Sequence, residues 1–191
     1  MTAQHDAKRR AILEAAAEVF MRHGFDAGTT KEVAAEVGLS QPAIYHYVGS
    51  KTDLLREIAL EVDRDMMAAL ENGLRSSDKP ADQLRGVIRE YTASVVRDLR
   101  AFAVFWQELR SLQPEIREKI RSDERDFVAR VARLVTALQR QGRLPAGPPT
   151  IVAQAIMSMP SWMYHWYRPG GALDANAMAK IYCRLIGLEE S

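Results

Sequence analysis

Apolar residues recur at helical spacing along the chain, and no stretch beyond residue 51 shows the alternation of apolar and polar residues that is typical of a strand. The pattern therefore predicts an all-α chain. Beyond residue 51 the predicted helices cover 52–74, 81–99, 101–112, a long segment opened by Pro114, 150–167 and 174–186.

Two short helices joined by a tight turn are predicted between residues 29 and 51. Thr29 with Glu32 three residues later forms a capping box, which starts the first of these helices. Gly38 ends that helix, because glycine adopts the positive φ of a turn without steric cost. The short length of the turn is typical of a helix-turn-helix.

The second short helix has its own start signals and a polar face. Ser40 is a ready N-cap, and Pro42 falls in the first turn, where its missing N–H costs nothing. Ile44 and Val48, four residues apart, anchor the helix to the core. The remaining surface then consists of Gln41, Ala43, Tyr45, His46 and Tyr47.

This polar and aromatic face suits a DNA groove. Gln can bond an adenine edge in two places, Ala can meet a thymine methyl, and Tyr hydroxyls can reach phosphate oxygens. Ser50 and Lys51 at the next helix start form a natural phosphate clamp. The predicted contacts with double-stranded DNA are Thr29, Thr30, Lys31, Ser40, Gln41, Pro42, Ala43, Tyr45, His46, Tyr47 and Lys51.

The segment from Arg9 to Leu55 resembles the DNA-binding domain of TetR-type transcriptional regulators. The resemblance implies a first helix whose matching residues are Ile12, Leu13, Ala16 and Phe20, with Gly24 after it. The other matching residues are Thr30, Gly38, Ser40, Tyr45, Lys51, Leu54 and Leu55. Tyr47 stands where the family most often has His, and Val48 where it most often has Phe. The resemblance implies a three-helix DNA-binding domain, predicted at 1–53, followed by a helical ligand-binding and dimerisation domain at 54–191.

Charge and composition limit the other possible functions. The chain has 191 residues, a net charge of +1 and one cysteine, Cys183, which excludes an intrachain disulfide. Its four histidines are scattered along the chain, so no metal site is expected. No nucleophile elbow or phosphate loop appears, so we expect neither an enzyme nor a cofactor. The N-terminus lacks a signal-peptide core and no stretch spans a membrane, which predicts a cytoplasmic protein.

The two C-terminal helices are apolar on more than one side, which favours burial against a partner as well as the chain's own core. Their pairing with a symmetry mate would form a four-helix interface, and TetR-type regulators dimerise in this way. The alternative is a central helix in a larger monomeric bundle. The predicted homodimer contacts are Ile151, Ala155, Met178, Ile181, Tyr182 and Leu185.

A set of methionines and aromatics is the candidate lining of a site for a small hydrophobic effector, although plain core packing explains each residue singly. Pro160 is expected to kink its helix in the middle and make room for a ligand. The candidate lining residues are Met66, Met67, Leu70, Phe102, Phe105, Trp106, Phe127, Met159, Trp162 and Met163.

The segment WMYHWYRPGG resembles the ending of a TetR-type branch that governs fatty-acid, steroid or other acyl-CoA catabolism. This resemblance implies an acyl-CoA effector, with Arg97, Arg100 or Arg110 as candidate partners of the CoA phosphates. The predicted function is a ligand-responsive repressor of lipid catabolism genes that its effector releases from a palindromic operator. The alternatives are a multidrug sensor controlling an efflux pump, or a helical enzyme or adaptor that does not bind DNA.

Overall fold

The computed structural model describes residues 3–189, and these residues form helices and turns with no strand among them. This confirms the all-α prediction. The helices are α1 (Ala3–Ala27), α2 (Thr30–Glu36), α3 (Gln41–Val48), α4 (Lys51–Arg75), α5 (Pro80–Arg97), α6 (Leu99–Gln107), α7 (Pro114–Arg140), α8 (Pro149–Ser161), α9 (Met163–Trp166) and α10 (Ala175–Leu185).

The described residues form two compact units. The first unit contains the chain through Asp63 together with Arg100–Ile120, and the second contains Arg64–Leu99 together with the chain from Arg121 onward. Helices α1, α2, α3, most of α6, the first half of α4 and the first two turns of α7 therefore belong to the first unit. The functional boundary after residue 53 stays a prediction.

In the first unit, α1 contributes the predicted apolar face. Ile12 and Ala16 are fully buried, and Leu13 and Phe20 are nearly so. Gly24 interrupts α1 with φ 77° and ψ 162°, a conformation outside the helical range. Because such a positive φ favours glycine, this position is the predicted stop of the first helix.

In the second unit, two glycines allow the end of α4 and the middle of α5 to cross closely. A Cβ placed on Gly73 would lie 2.3 Å from the backbone nitrogen of Val87. A Cβ placed on Gly86 would lie 2.9 Å from the carbonyl oxygen of Gly73. Since such distances are shorter than any non-bonded contact, only glycine fits at this crossing.

Two segments rich in aromatic residues that were each predicted as one helix are divided in the structure. The segment expected as one helix over 101–112 consists of α6 and a separate 3₁₀ turn, Leu109–Ser111. The segment expected as one helix over 150–167 ends at Ser161 and resumes as the short helix α9. Pro160 lies in the last turn of α8, so it stands where the predicted helix divides and not in the middle of a continuous helix.

Candidate nucleic-acid interface

Helix α3 has the predicted N-cap and the predicted buried anchor, and it also has a glycine at its C-terminal end that was not predicted. The Ser40 hydroxyl accepts a hydrogen bond from the backbone N–H of Ala43 at 3.4 Å. Ile44 is fully buried and Val48 is 5% exposed, and Gly49 ends the helix with φ 74°. The opposite side of this eight-residue helix carries exposed side chains, among them Gln41, Tyr45 and His46.

The capping box predicted at the start of α2 is present. The Glu32 backbone N–H donates to the Thr29 hydroxyl at 3.2 Å, and the Thr29 backbone N–H donates to the Glu32 carboxylate at 2.8 Å. The Thr29 hydroxyl and backbone donors lower the pKa of the Glu32 carboxyl. This box fixes the end of α2 that lies beside α3.

A hydrogen-bond network that the sequence did not reveal joins α2 to the exposed face of α3. The Gln41 amide donates to the Thr30 hydroxyl at 2.8 Å, and the Thr30 and Tyr45 hydroxyls are 3.0 Å apart. Thr30 is only 4% exposed, whereas Tyr45 is 42% exposed and Gln41 is also exposed. Thr30 therefore orients two surface side chains from a buried position.

The other predicted DNA contacts lie on or near the surface. Tyr47 packs edge-on against His46 with ring centroids 5.7 Å apart, and lies 4.9 Å from the His5 ring. Exposed in the structure are Thr29, Lys31, Ser40, Gln41, Pro42, Tyr45 and His46, and half-buried are Ala43, Tyr47 and Lys51.

Lys51 and Ser50, at the start of α4, have contacts within the unit. The Lys51 ammonium donates to the Asp26 carbonyl at 3.0 Å and lies 4.6 Å from the centroid of the Phe25 ring. The Ser50 hydroxyl accepts from the Asp53 backbone N–H at 3.0 Å, so it caps α4. Lys51 keeps further N–H donors for a phosphate, because an ammonium carries three.

Arginines neutralise several carboxylates of the first unit, which bears on its nearly balanced charge. Arg22 pairs with Glu18 at 3.1 Å and with Glu36 at 3.4 Å. Arg100 of α6 pairs with the same Glu18 at 2.9 Å. The Arg100 and Arg22 guanidiniums lower the pKa of the Glu18 carboxyl. Lys31, the basic residue of α2, takes no part in these pairs and is exposed.

Helix α6 carries an aromatic cluster inside the first unit. Phe102 and Phe105 are each 2% exposed, and the Trp106 ring meets Phe105 edge-on at 5.3 Å. The Trp106 indole N–H is buried and has no hydrogen-bond partner among the described residues. A buried donor without a partner is costly, so this atom is suited to a ligand acceptor.

One contact links the end of α6 to the end of α1. The Glu108 carboxylate accepts a hydrogen bond from the Phe25 backbone N–H at 2.9 Å. The Phe25 ring in turn lies beside the Lys51 ammonium. The aromatic cluster of α6 is therefore connected to the start of α4 within one unit. Sequence periodicity gave no signal for a contact between residues 83 positions apart.

An ion pair between a buried carboxylate and an exposed lysine lies in the same unit and was also missed. Asp63 is 4% exposed, and its carboxylate is 2.5 Å from the Lys119 ammonium. A buried carboxylate is a feature that favours a sensor of cationic drugs, but this one is compensated by lysine.

The remaining candidates for the effector site lie in the second unit. Met66, Leu70, Phe127 and Met163 are buried there. Met67 and Met159 are half-buried. Trp162 is 59% exposed in the single chain, so it lies on the surface of that unit rather than in its interior.

The candidate dimer residues fall into an exposed and a buried group. Ile151 is 60% exposed and Leu185 is 70% exposed, while Ala155 is exposed and Ile181 half-buried. Met178 and Tyr182 are each 6% exposed and belong to the core of the second unit. Burial raises the pKa of the Tyr182 hydroxyl to about 12.

Neither a metal cluster nor a spanning helix appears in residues 3–189. Within that range no three His, Cys, Asp or Glu side chains are grouped as metal ligands. No helix in it is long and apolar enough to cross a membrane.

Two family models match the chain. Residues 12–58 match the bacterial regulatory proteins of the tetR family, and residues 77–187 match the tetracyclin repressor-like C-terminal domain. The chain belongs to the TetR family. It is therefore a DNA-binding transcription regulator, and the three-helix segment that contains α3 is its DNA-binding part.

Individual relatives agree with this assignment. YfiR of Bacillus subtilis, an uncharacterised HTH-type transcriptional regulator, is 31% identical over 83% of this chain and 80% of its own length. The crystal structure of PfmR from Thermus thermophilus is 29% identical, with a TM-score of 0.82 over 94% of this chain and 98% of that one. AibR in complex with isovaleryl coenzyme A and operator DNA has the same fold, with 24% identity and a TM-score of 0.79 over 94% and 98%.

Proposed function

We propose that this TetR-family regulator is a homodimeric repressor of lipid catabolism genes, and that an acyl-CoA releases it from a palindromic operator. The observation that carries the effector part is the buried, unpartnered indole N–H of Trp106 within an aromatic cluster. An acyl-CoA offers both an apolar chain for such a cluster and a thioester carbonyl that accepts this hydrogen bond.

Operator reading rests on the exposed face of α3. Gln41 keeps its amide oxygen for a base edge after it donates to Thr30. Its amide nitrogen also donates to the Tyr45 hydroxyl, but at the long distance of 3.5 Å, so the second N–H can turn to the same base edge. That pair of atoms matches the bidentate pattern that adenine presents in the major groove. The Tyr47 hydroxyl and the Lys51 ammonium contact DNA phosphates and do not read bases.

Dimerisation rests on the exposed apolar residues of α8 and α10. Leu185 and Ile151 expose 70% and 60% of their surface in the single chain. Large apolar side chains exposed to this degree mark interaction surfaces when they occur together. A twofold axis through these helices gives a self-complementary interface, and two recognition helices then read two half-sites.

Support for the effector class comes from a relative and from the C-terminal motif. AibR, which shares the fold, was solved with isovaleryl coenzyme A and operator DNA. The WMYHWYRPGG segment resembles the acyl-CoA-responsive branch. The competing drug-sensor function calls for a buried acidic group that is free to meet a cation, and Lys119 already neutralises Asp63.

Coupling between effector and operator runs through contacts of the first unit. A ligand on Trp106 displaces the end of α6, where Glu108 holds the Phe25 backbone N–H. Phe25 contacts Lys51, the residue that starts α4 and meets a DNA phosphate. Coupling of this kind is typically about 1–3 kcal/mol, or roughly a 5- to 150-fold loss of operator affinity.

The test is a titration of acyl-CoAs of increasing chain length against the protein on an operator obtained by random-sequence selection. Tryptophan emission and operator release should saturate together, and replacement of Trp106 by Phe should weaken the response. Free fatty acids and unacylated CoA serve as controls. A saturable response to cationic dyes with none to any acyl-CoA would overturn the proposal in favour of a drug sensor.

A further inference from the structure

A basic groove runs along helices α5 and α10 of the second unit. Its cavity of about 610 Å³ is lined by Arg85 and Arg89 from α5 and by Lys180 and Arg184 from α10. An adjoining cavity of about 730 Å³ shares the two α5 arginines and adds Lys79 and Arg143. None of the candidate effector residues lines either cavity, so the groove is a separate feature of the molecule.

The positive charge of this groove is concentrated. Six cationic side chains line the two cavities against two acidic ones, Asp82 and Glu189. The whole chain has a net charge of only +1. Each wall presents two cations four residues apart on a helix, an arrangement in which like charges repel. A bound anion between the walls relieves this repulsion.

Internal acids compensate only part of the charge. Arg85 pairs with Asp82 and also donates to the Glu189 carbonyl at 3.2 Å. Arg184 approaches the Glu189 carboxylate at 3.7 Å, and both of these side chains are about 70% exposed. Arg89 pairs with Glu90 at 3.1 Å, and this pair is also partly exposed. The exposed ion pairs of Arg89 and Arg184 are weak, so a stronger anion displaces them readily.

Three further cations of the groove have no acidic partner within 4.0 Å among residues 3–189, namely Lys79, Arg143 and Lys180. Because the groove is concave, their fields add inside it rather than dispersing into solvent.

We propose that the α5–α10 groove binds a small organic anion with at least two phosphate groups, of the nucleoside diphosphate type. The pair of cations on α5 and the pair on α10 match two anionic centres. The guanidinium group of arginine binds phosphate through two parallel hydrogen bonds. The floor contains the buried apolar residues Ala179, Cys183 and Leu188, which suit a flat ring. The cavity volume lies within the usual range for small-molecule sites, about 300–1,000 Å³.

The groove stays open in the proposed dimer. Lys180 and Leu185 are five residues apart on α10, which places them about 140° apart around the helix axis. Leu185 belongs to the exposed apolar face, and Lys180 points to the opposite flank. A ligand in the groove therefore does not compete with the partner subunit.

The test is calorimetric titration of the full-length protein with ADP, inorganic pyrophosphate and adenosine, none of which carries an acyl chain. ADP and pyrophosphate should bind saturably, more weakly at about 200 mM than at about 50 mM salt, and adenosine should not bind. The double variant Arg89→Gln/Lys180→Gln should lose at least about tenfold in ADP affinity. Both residues are exposed, so the fold should persist, and Arg184→Gln provides a second variant of the same site.

The matched control is Arg121→Gln/Arg125→Gln, which removes two exposed cations at the same spacing on α7 outside the groove. This control should bind ADP like the native protein. Equal losses in both double variants would overturn the proposal, because they would reflect bulk charge. So would the absence of saturable ADP binding up to about 5 mM, or groove-dependent binding of phosphatidylglycerol vesicles without ADP binding, which would assign the cations to a lipid surface.

Discussion

At the scale of single residues, the buried hydroxyl of Thr30 explains how a short helix can present an ordered reading surface. Thr30 holds both Gln41 and Tyr45, which otherwise have several rotamers available in solvent. Ordering these side chains before DNA binds reduces the entropy that binding costs. Under the proposed operator reading, the free protein therefore already orders two of the side chains that meet DNA.

The first prediction separates base reading from phosphate binding. Gln41→Ala should relax sequence preference at one position per half-site and cost about 1–3 kcal/mol on the best operator. Lys51→Ala should instead weaken binding to all sequences alike and lower the salt dependence by about one unit. Operator and random-sequence affinities at several salt concentrations measure both effects.

An equal loss for the two variants on operator and on random DNA would contradict the role assigned to Gln41. Thr30→Val is an informative companion, because it removes only the hydroxyl that orients Gln41 and Tyr45. It should weaken operator binding more than random-DNA binding, in the same sense as Gln41→Ala.

At the scale of helices, the close crossing of α4 and α5 reverses the usual effect of replacing glycine. Gly→Ala inside an unconstrained helix stabilises a protein by about 0.4–1 kcal/mol. At Gly73 the added methyl meets the Val87 backbone, so Gly73→Ala should destabilise the fold by about 1–3 kcal/mol or more. Urea unfolding midpoints measure the change, and a more stable variant would contradict the described crossing.

The contact between α6 and α1 carries a prediction about coupling. Glu108→Ala removes the acceptor of the Phe25 backbone N–H, whereas Gln107→Ala changes an exposed neighbour. The coupling free energy is obtained from the ratio of operator affinities without and with a saturating acyl-CoA. It should fall in the Glu108 variant by about 0.5–2 kcal/mol. In the Gln107 variant the coupling free energy should equal that of the native protein. If it equals the native value in both variants, this contact is not part of the coupling.

The sequence predicted the helices well wherever local signals define their ends. The Thr29 box, the Ser40 cap and the turn at Gly38 predicted α2 and α3 closely. The close contact of Gly73 with α5 was not predicted, because α5 comes from a segment distant in sequence. The site contacts of Thr30, Lys51 and Glu108 depend on side-chain directions across different helices, which periodicity does not contain.

At the scale of the whole molecule, function depends on two copies of the chain. Leu185→Glu places a charge on the exposed apolar face of α10, so it should prevent dimerisation while the single chain still folds. Asn176→Glu is the matched control, since it adds the same charge to an exposed position on the same helix. Light scattering should find a monomer for the first variant and a dimer for the second. A dimeric Leu185→Glu variant would move the interface elsewhere.

The proposed regulator couples an acyl-CoA site to an operator site in one molecule, and thermodynamic linkage makes this coupling measurable from both sides. Operator affinity is measured with and without saturating acyl-CoA, and acyl-CoA affinity with and without saturating operator. Both affinities should fall by the same factor, roughly 5- to 150-fold. Operator release without a matching loss of acyl-CoA affinity on the operator complex would contradict it.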